Sequence, residues 1–83
     1  GAWYQRGLAM AQLQQWEEAV ISYQKALKSQ PGSYELWYLR GVALDKCNRH
    51  EDAVEYYDNA LALNPEFYEI WIDRGVLQAS LGE

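Results

Sequence analysis

The sequence predicts an all-α fold made of repeated helix pairs, and three observations support that prediction. The order Trp, Arg, Gly begins at Trp3 and returns at Trp37 and Trp71, each time 34 residues later. Between these points apolar residues recur three and four apart, the spacing of one helix face and not of a strand. Pro31 and Pro65 keep the same 34-residue interval and mark helix ends. A fixed period of this length indicates a stack of repeated units.

Length and composition narrow the class of protein. The chain has 83 residues, enough for one small domain, and 14% of them are aromatic. The net charge of −5 argues against nucleic acid and against an anionic membrane as partners, because both attract clustered Lys and Arg. No apolar run reaches the roughly 20 residues that a membrane span needs. We therefore expect no nucleic-acid partner and no membrane partner.

The only cysteine and the only histidine occupy positions that are apolar in the other units. Cys47 corresponds to Leu13 and Leu81, so we predict a small core residue. His50 corresponds to Trp16, so we predict a packed ring. One Cys and one His do not make a zinc site, which needs three or four protein ligands, and we expect no metal and no cofactor. A single thiol suits a reducing compartment, so we expect a cytoplasmic protein.

The first unit predicts two helices, near 2–13 and 17–29. The second of these carries its apolar residues on one face, as their spacing fits a period of 3.6 residues. These residues are Trp16, Ala19, Val20, Tyr23, Ala26 and Leu27. Pro31 and Gly32 end the helix, and Ser33 is a suitable N-cap for the next one.

The second unit repeats this pattern with helices near 34–47 and 51–63. Asn48 lies at the turn between them, where Asn tolerates a left-handed backbone. The third unit contributes a first helix near 67–81, which Gly82 ends. We therefore predict five helices in a single domain: repeat 1 at about 1–33, repeat 2 at about 34–67, and the first helix of repeat 3 at about 68–83. The ending Leu-Gly-Glu is typical of the turn before a second helix, so we expect a domain fragment.

A glycine recurs within each first helix, at Gly7, Gly41 and Gly75. Glycine within a helix costs about 1 kcal/mol relative to alanine. Its return in three helices predicts contacts with a neighbouring helix that are too close for a side chain.

The repeated residues resemble the tetratricopeptide repeat, whose pattern is W-x2-L-G-x2-Y, then A-x3-F, then A and P. One departure recurs: Arg6, Arg40 and Arg74 replace the Leu, a W-x-x-R-G variant that resembles bacterial members of the family. The matching signature residues are Trp3, Gly7, Ala19, Tyr23, Ala26, Pro31, Trp37, Gly41, Ala53, Tyr57, Ala60, Pro65, Trp71 and Gly75. We interpret the Trp residues as packing between pairs, and the Arg residues as structural, with stems on apolar surface and heads near Asp or Glu.

The resemblance implies a solenoid, a right-handed superhelix of antiparallel helix pairs. It also implies a concave face, lined by the first helix of each pair, on which family members bind peptides or other proteins. The concave positions give an apolar, aromatic groove with an acidic fringe. The candidate partner-binding residues are Tyr4, Leu8, Tyr38, Val42, Asp45, Ile72, Asp73 and Val76. We expect a protein or peptide partner that is apolar or basic and amphipathic.

One known groove of the family, the carboxylate clamp, holds the acidic C-terminus of chaperones with Lys, Asn and Arg. The positions that correspond to it here are Tyr4, Leu8, Leu39, Glu69 and Asp73. None of them is Lys, Asn or Arg, and two are acidic, which would repel a carboxylate. A chaperone C-terminal carboxylate is therefore excluded as a predicted partner.

No catalytic motif stands out. The acidic pairs Glu17-Glu18 and Glu51-Asp52 open the second helices, where negative charge complements the helix dipole. The sequence contains no phosphate loop and no nucleophile elbow. We predict that the chain is not an enzyme.

Three functional hypotheses stay open. The first is a protein–protein interaction module that binds a partner peptide or helix in the groove. The alternative is a structural spacer or self-assembly unit of a larger multi-repeat protein, and the third is a regulatory part of a larger enzyme. Since the last helix lacks a partner helix, we expect Val76, Leu77 and Leu81 to be exposed and to promote self-association.

Overall fold

The computed structural model describes residues 1–82. Within them the protein is all-α, and no strand is present. The five helices are α1 (Ala2–Gln12), α2 (Trp16–Ser29), α3 (Tyr34–Lys46), α4 (His50–Leu63) and α5 (Tyr68–Leu81). The predicted all-α class and the five predicted helices are confirmed, with each helix end within one residue of its expected place.

The helices stack in chain order. Each packs on its sequence neighbours: α1 on α2, α2 on α3, α3 on α4, and α4 on α5. Turns of three or four residues connect them, so consecutive helices run antiparallel. The described chain measures 36 × 25 × 16 Å.

The turns within the two pairs share one backbone conformation. Gln14 and Asn48 have φ angles of 60° and 64°, the left-handed region expected for Asn48. The amide of Gln15 then donates to Met10 O at 2.8 Å, and that of Arg49 donates to Leu44 O at 2.9 Å. These bonds close a Schellman motif that satisfies the last carbonyls of α1 and α3.

The turn between the pairs carries the expected cap. Ser33 has an extended backbone and its side chain accepts a hydrogen bond from the Leu36 amide at 3.4 Å. The indole N–H of Trp37 donates to Pro31 O at 2.9 Å, and that of Trp71 donates to Pro65 O at 2.9 Å. Each of these Trp residues therefore connects a first helix to the preceding turn through a hydrogen bond.

The close approach expected at the helix glycines is present in both complete pairs. A Cβ atom on Gly7 would lie 2.5 Å from the Tyr23 ring, and one on Gly41 would lie 2.7 Å from the Tyr57 ring. Both rings are almost wholly buried. At Gly75 a Cβ would meet nothing within 4 Å. The glycine is thus required where a tyrosine of the second helix crosses it.

The core runs along the second helices and includes two residues that the periodicity did not single out. Leu36 and Ile70 are 1% and 0% exposed, and each directly precedes a repeat Trp. The remaining core residues are Ala19, Val20, Tyr23, Ala26, Leu27, Ala43, Leu44, Ala53, Tyr57, Ala60, Leu61 and Leu77.

The prediction that Leu77 is exposed is wrong, since this side chain is 7% exposed. It occupies the position of Ala43, which is also buried, because that face of a first helix meets the preceding pair. Val76 and Leu81 are 65% and 42% exposed, as expected. Cys47 is half-buried and caps the C-terminus of α3, so it packs against the edge of the core rather than within it.

The repeat Trp residues are buried to different extents, and Trp3 is 41% and Trp71 is 47% exposed. Trp37 is half-buried because its ring lies 5.1 Å from that of Tyr56 on α4. In the first pair the residue equivalent to Tyr56 is Ser22, too small to cover a ring.

The heads of the three repeat Arg residues reach the second helices, in agreement with a structural role. Arg6 donates to Ser22 Oγ and, at 3.0 Å, to Glu18. Arg74 donates to Asp58. The guanidinium of Arg40 lies 4.5 Å from the centre of the Tyr56 ring.

Candidate functional site

Two clefts lie side by side along the first helices. We call the first the apolar cleft; it lies between α1, the start of α2 and α3 and has a volume of about 310 Å³. It is lined by Leu8, Ala11, Gln12, Trp16, Tyr23, Leu39 and Val42. Gln12 is its one polar side chain besides the Tyr23 phenol, so this cleft accepts apolar groups.

The second, which we call the acidic cleft, lies between α3, the start of α4 and α5, with a volume of about 400 Å³. It is lined by Tyr38, Val42, Asp45, Lys46, His50, Tyr57, Asp73, Val76, Leu77 and Ser80. Val42 belongs to both clefts, so the two are neighbours.

Hydrogen bonds hold both carboxylates of the acidic cleft in place. The Tyr38 hydroxyl donates to Asp73 Oδ2 at 2.6 Å, which connects α3 to α5. His50 Nδ1 lies 2.6 Å from Asp45 Oδ1. The side chains of His50 and Asp45 are 38% and 36% exposed. The prediction of a packed His50 ring is therefore wrong, since its position lies on the rim of a cleft, where Trp16 also lies half-buried.

The environment of the acidic cleft raises the pKa of two phenols, those of Tyr38 and Tyr57. Burial raises the pKa of Tyr38, and its hydrogen bond to Asp73 raises that pKa further. Burial also raises the pKa of Tyr57, with smaller contributions from the negative charges of Asp45 and Asp73. Both phenols are thus protonated at neutral pH, and Asp73 accepts the one hydrogen bond that the Tyr38 hydroxyl can donate.

One cation also lines the acidic cleft. The Lys46 ammonium lies 6.0 Å from the centre of the Trp16 ring, which belongs to the apolar cleft. The acidic cleft therefore contains two carboxylates and one ammonium group, and the ammonium lies within reach of a ring of the apolar cleft.

The structure gathers most, but not all, of the predicted partner-binding residues into these clefts. Leu8 and Val42 line the apolar cleft, and Tyr38, Val42, Asp45, Asp73 and Val76 line the acidic one. Tyr4 lies outside both, in a smaller hollow beside Gln30 and Leu36. Ile72 also lies outside them and is 65% exposed. The predicted row Tyr4, Tyr38, Ile72 is therefore not one surface.

The predicted partner-binding set lacks ten of the lining residues, among them Trp16, Leu39, Lys46 and His50. Leu39 was considered only for the carboxylate clamp. The 34-residue period could have indicated these positions. The residues 34 positions after Trp16, Leu39 and Val42 are His50, Asp73 and Val76, which all line the acidic cleft. The start of each second helix thus belongs to the groove.

Two further properties concern residues 1–82. None of the helices there combines the length and apolar character needed to cross a membrane. In the same stretch, no three side chains among His, Cys, Asp and Glu are grouped as a metal site.

The chain resembles known proteins in sequence and in fold. Two family models, both described as tetratricopeptide repeat, match residues 1–33 and 34–67. A search of curated proteins found no match. Among solved structures, the TPR2B domain of yeast Sti1, in a complex with pHsp70, superposes with a TM-score of 0.91 at 21% identity. The superposition covers 96% of this chain and 64% of the yeast chain, so the chain spans under two thirds of that structure.

The two family matches cover most of the chain, and the superposition gives the same fold. The signature Trp, Gly, Ala, Tyr and Pro residues lie where the structure shows their packing, with tyrosine on glycine and indole on the proline carbonyl. The resemblance predicted from the repeated residues is thus confirmed: the chain belongs to the tetratricopeptide repeat family.

Proposed function

We propose that this chain is a protein–protein interaction module whose concave face holds a segment of a partner protein. The observation that supports this best is the pair of neighbouring clefts, which share Val42 and are lined mainly by apolar and aromatic side chains. Grooves of this kind bind extended or helical segments by placing a few side chains in pockets. The family and the fold support a protein partner in general.

The groove suits an apolar or basic segment better than an acidic C-terminus. The structurally similar yeast domain was solved with pHsp70. In this chain Asp73 lines the groove, and its carboxylate would repel a terminal carboxylate. We expect a peptide that ends in acidic residues not to compete with a groove-bound partner.

A test of the proposal compares two substitutions of the same chemical kind. Val42 lines both clefts, so Val42→Lys places a charge in the middle of the groove. Ile21→Lys is the matched control, because Ile21 is a 44% exposed apolar residue of α2 outside both clefts. Peptides selected from a random display library on the natural chain should lose binding to Val42→Lys and keep it with Ile21→Lys. Equal binding to all three chains would overturn the proposal, provided that circular dichroism shows equal helix content.

A second candidate function is self-association through α5. Trp71 on α5 is 47% exposed, and the space next to Gly75 is empty where Gly7 and Gly41 face a tyrosine ring. A second copy that covers this part of α5 would bury apolar area. The mass measured by sedimentation should then rise with concentration, and Trp71→Gln should lower it. A mass that stays monomeric at all concentrations would exclude this candidate.

The proposal also covers whether the chain catalyses a reaction and in which compartment it works. We propose a non-catalytic module, because tetratricopeptide repeats are interaction units and the polar groups of the acidic cleft are engaged with one another. We also propose a cytoplasmic setting, on the ground of the single thiol of Cys47.

A further inference from the structure

The two clefts are equivalent positions of the repeat with different chemistry. Each lining residue of the apolar cleft, moved by 34 positions, gives a lining residue of the acidic cleft. Four of these changes alter the character of the site. Ala11 becomes Asp45, Gln12 becomes Lys46, Trp16 becomes His50, and Leu39 becomes Asp73. Equivalent sites of the repeat thus have apolar walls in one case, and two carboxylates with one ammonium in the other.

On this basis, and resting on the proposed function, we infer that the groove recognises an extended segment with an apolar side chain in the apolar cleft and an Arg or Lys side chain in the acidic cleft. Charge complementarity selects the second side chain. Asp45 and Asp73 come from α3 and α5 and line one cleft with a single lysine, Lys46, so carboxylates outnumber ammonium groups there by two to one. A guanidinium or ammonium entering there would meet both carboxylates and the hydroxyl of Tyr38.

The carboxylates are held in place before a partner binds. Tyr38 fixes Asp73, and His50 fixes Asp45, each at 2.6 Å. A carboxylate accepts several hydrogen bonds, so each of them keeps acceptor capacity for a basic side chain. The side chain of Asp45 is still 36% exposed. Because little rotamer freedom is lost on binding, the arrangement favours affinity for a cation.

The spacing of the clefts sets the spacing of the two anchors. Since α3 lies between the two clefts, we take their centres to be about one helix diameter apart, roughly 10 Å. A polyproline II segment rises about 3.1 Å per residue and repeats every three residues, so side chains three apart project from the same side at about 9 Å. The inferred recognition element is therefore an apolar residue and an Arg or Lys three positions apart.

Selection from a random peptide library tests the inference and the proposed function separately. We expect the peptides enriched on the natural chain to carry an apolar residue three positions from Arg or Lys. Failure to enrich any peptide relative to the Val42→Lys chain would overturn the proposed function and the inference with it. Enrichment of peptides without a basic residue at that spacing would leave the proposed function in place and overturn the inference alone.

A cleft conversion provides the second test. The triple variant Asp45→Ala, His50→Trp and Asp73→Leu keeps Lys46 and gives three positions of the acidic cleft the residues that the fold already accepts in the apolar one. For a selected peptide and its Arg→Leu analogue, the natural chain should prefer Arg by about tenfold, an energy of about 1.4 kcal/mol. The converted chain should prefer Leu. An unchanged preference for Arg would overturn the inference.

Two controls separate the local charges from net charge and from folding. Glu55→Ala with Glu66→Ala removes two exposed carboxylates outside both clefts and should keep the preference for Arg. A lost preference in this control would assign the effect to net charge and overturn the inference. Asp45→Asn with Asp73→Asn preserves shape and should by itself remove the preference, so the test stands even if the triple variant does not fold.

Discussion

The hydroxyl of Tyr38 on α3 lies 2.6 Å from Asp73 Oδ2 on α5 and donates a hydrogen bond to it. The two residues are 35 positions apart and belong to successive first helices. No equivalent bond joins Tyr4 to its counterpart, because position 39 is Leu39. A side chain predicted from sequence to bind a partner thus also connects neighbouring repeats.

Removal of this hydroxyl should weaken the stack. We expect Tyr38→Phe to lower the free energy of unfolding by about 1 kcal/mol, since a part-buried hydrogen bond is lost and Asp73 loses a donor. Urea titration followed by circular dichroism measures the change. Tyr4→Phe is the matched control and should change stability by a few tenths of a kcal/mol at most. Equal losses in the two variants would show that the Asp73 bond adds nothing.

Stability should fall at alkaline pH, partly through Tyr38. Burial and the bond to Asp73 raise its pKa above the ordinary value of 10.0, so the folded chain holds the phenol proton more tightly than the unfolded chain. The stabilisation is fully present below the unfolded pKa and is lost as pH rises through the folded one. Unfolding measured from about pH 9 to about pH 11 should show a smaller decline for Tyr38→Phe than for the natural chain. Parallel curves would contradict this assignment.

Two glycines of the same repeat position should respond in opposite directions to alanine. Gly41→Ala places a methyl group 2.7 Å from the buried Tyr57 ring, so overpacking should cost about 1–2 kcal/mol net of the gain in helix propensity. Gly75→Ala meets nothing within 4 Å and should stabilise by up to about 1 kcal/mol. Thermal unfolding of the two variants distinguishes these effects. Stabilisation by both would mean that the Tyr57 ring moves aside freely.

The two turn residues with a left-handed backbone, Gln14 and Asn48, allow another comparison of paired substitutions. Gln14 has a φ of 60°, which costs a residue with a side chain about 1–2 kcal/mol. Gln14→Gly should therefore raise the free energy of unfolding by about 0.5–1 kcal/mol. Asn48→Gly, at a φ of 64°, should gain less because Asn tolerates this conformation. A larger gain at Asn48 than at Gln14 would contradict the argument.

Much of the fold follows from spacing along the chain. The 34-residue interval and the apolar period predicted five helices to within one residue at each end, and the glycines predicted the close contacts later seen with Tyr23 and Tyr57. The turn at Asn48 followed from the conformational tolerance of Asn. These features are local, or repeat with the period, so one sequence was enough to predict them.

The site was less predictable. The position of Tyr38, Val42, Asp45 and Asp73 on one groove was expected, but the burial of Leu77 and the pairing of His50 with Asp45 were not.

The sequence by itself determined the features that repeat every 34 residues. These are the helices, the turns between them, and the tyrosine that packs on the glycine of each complete pair. Only the tertiary structure decided which of the non-repeating side chains meet. Asp73 reaches Tyr38 because stacking places α5 beside α3, and Asp45 reaches His50 because the turn at Asn48 returns the chain onto α3. Asp45, His50 and Asp73 break the period, so their contacts depend on neighbours in space that the spacing along the chain does not specify.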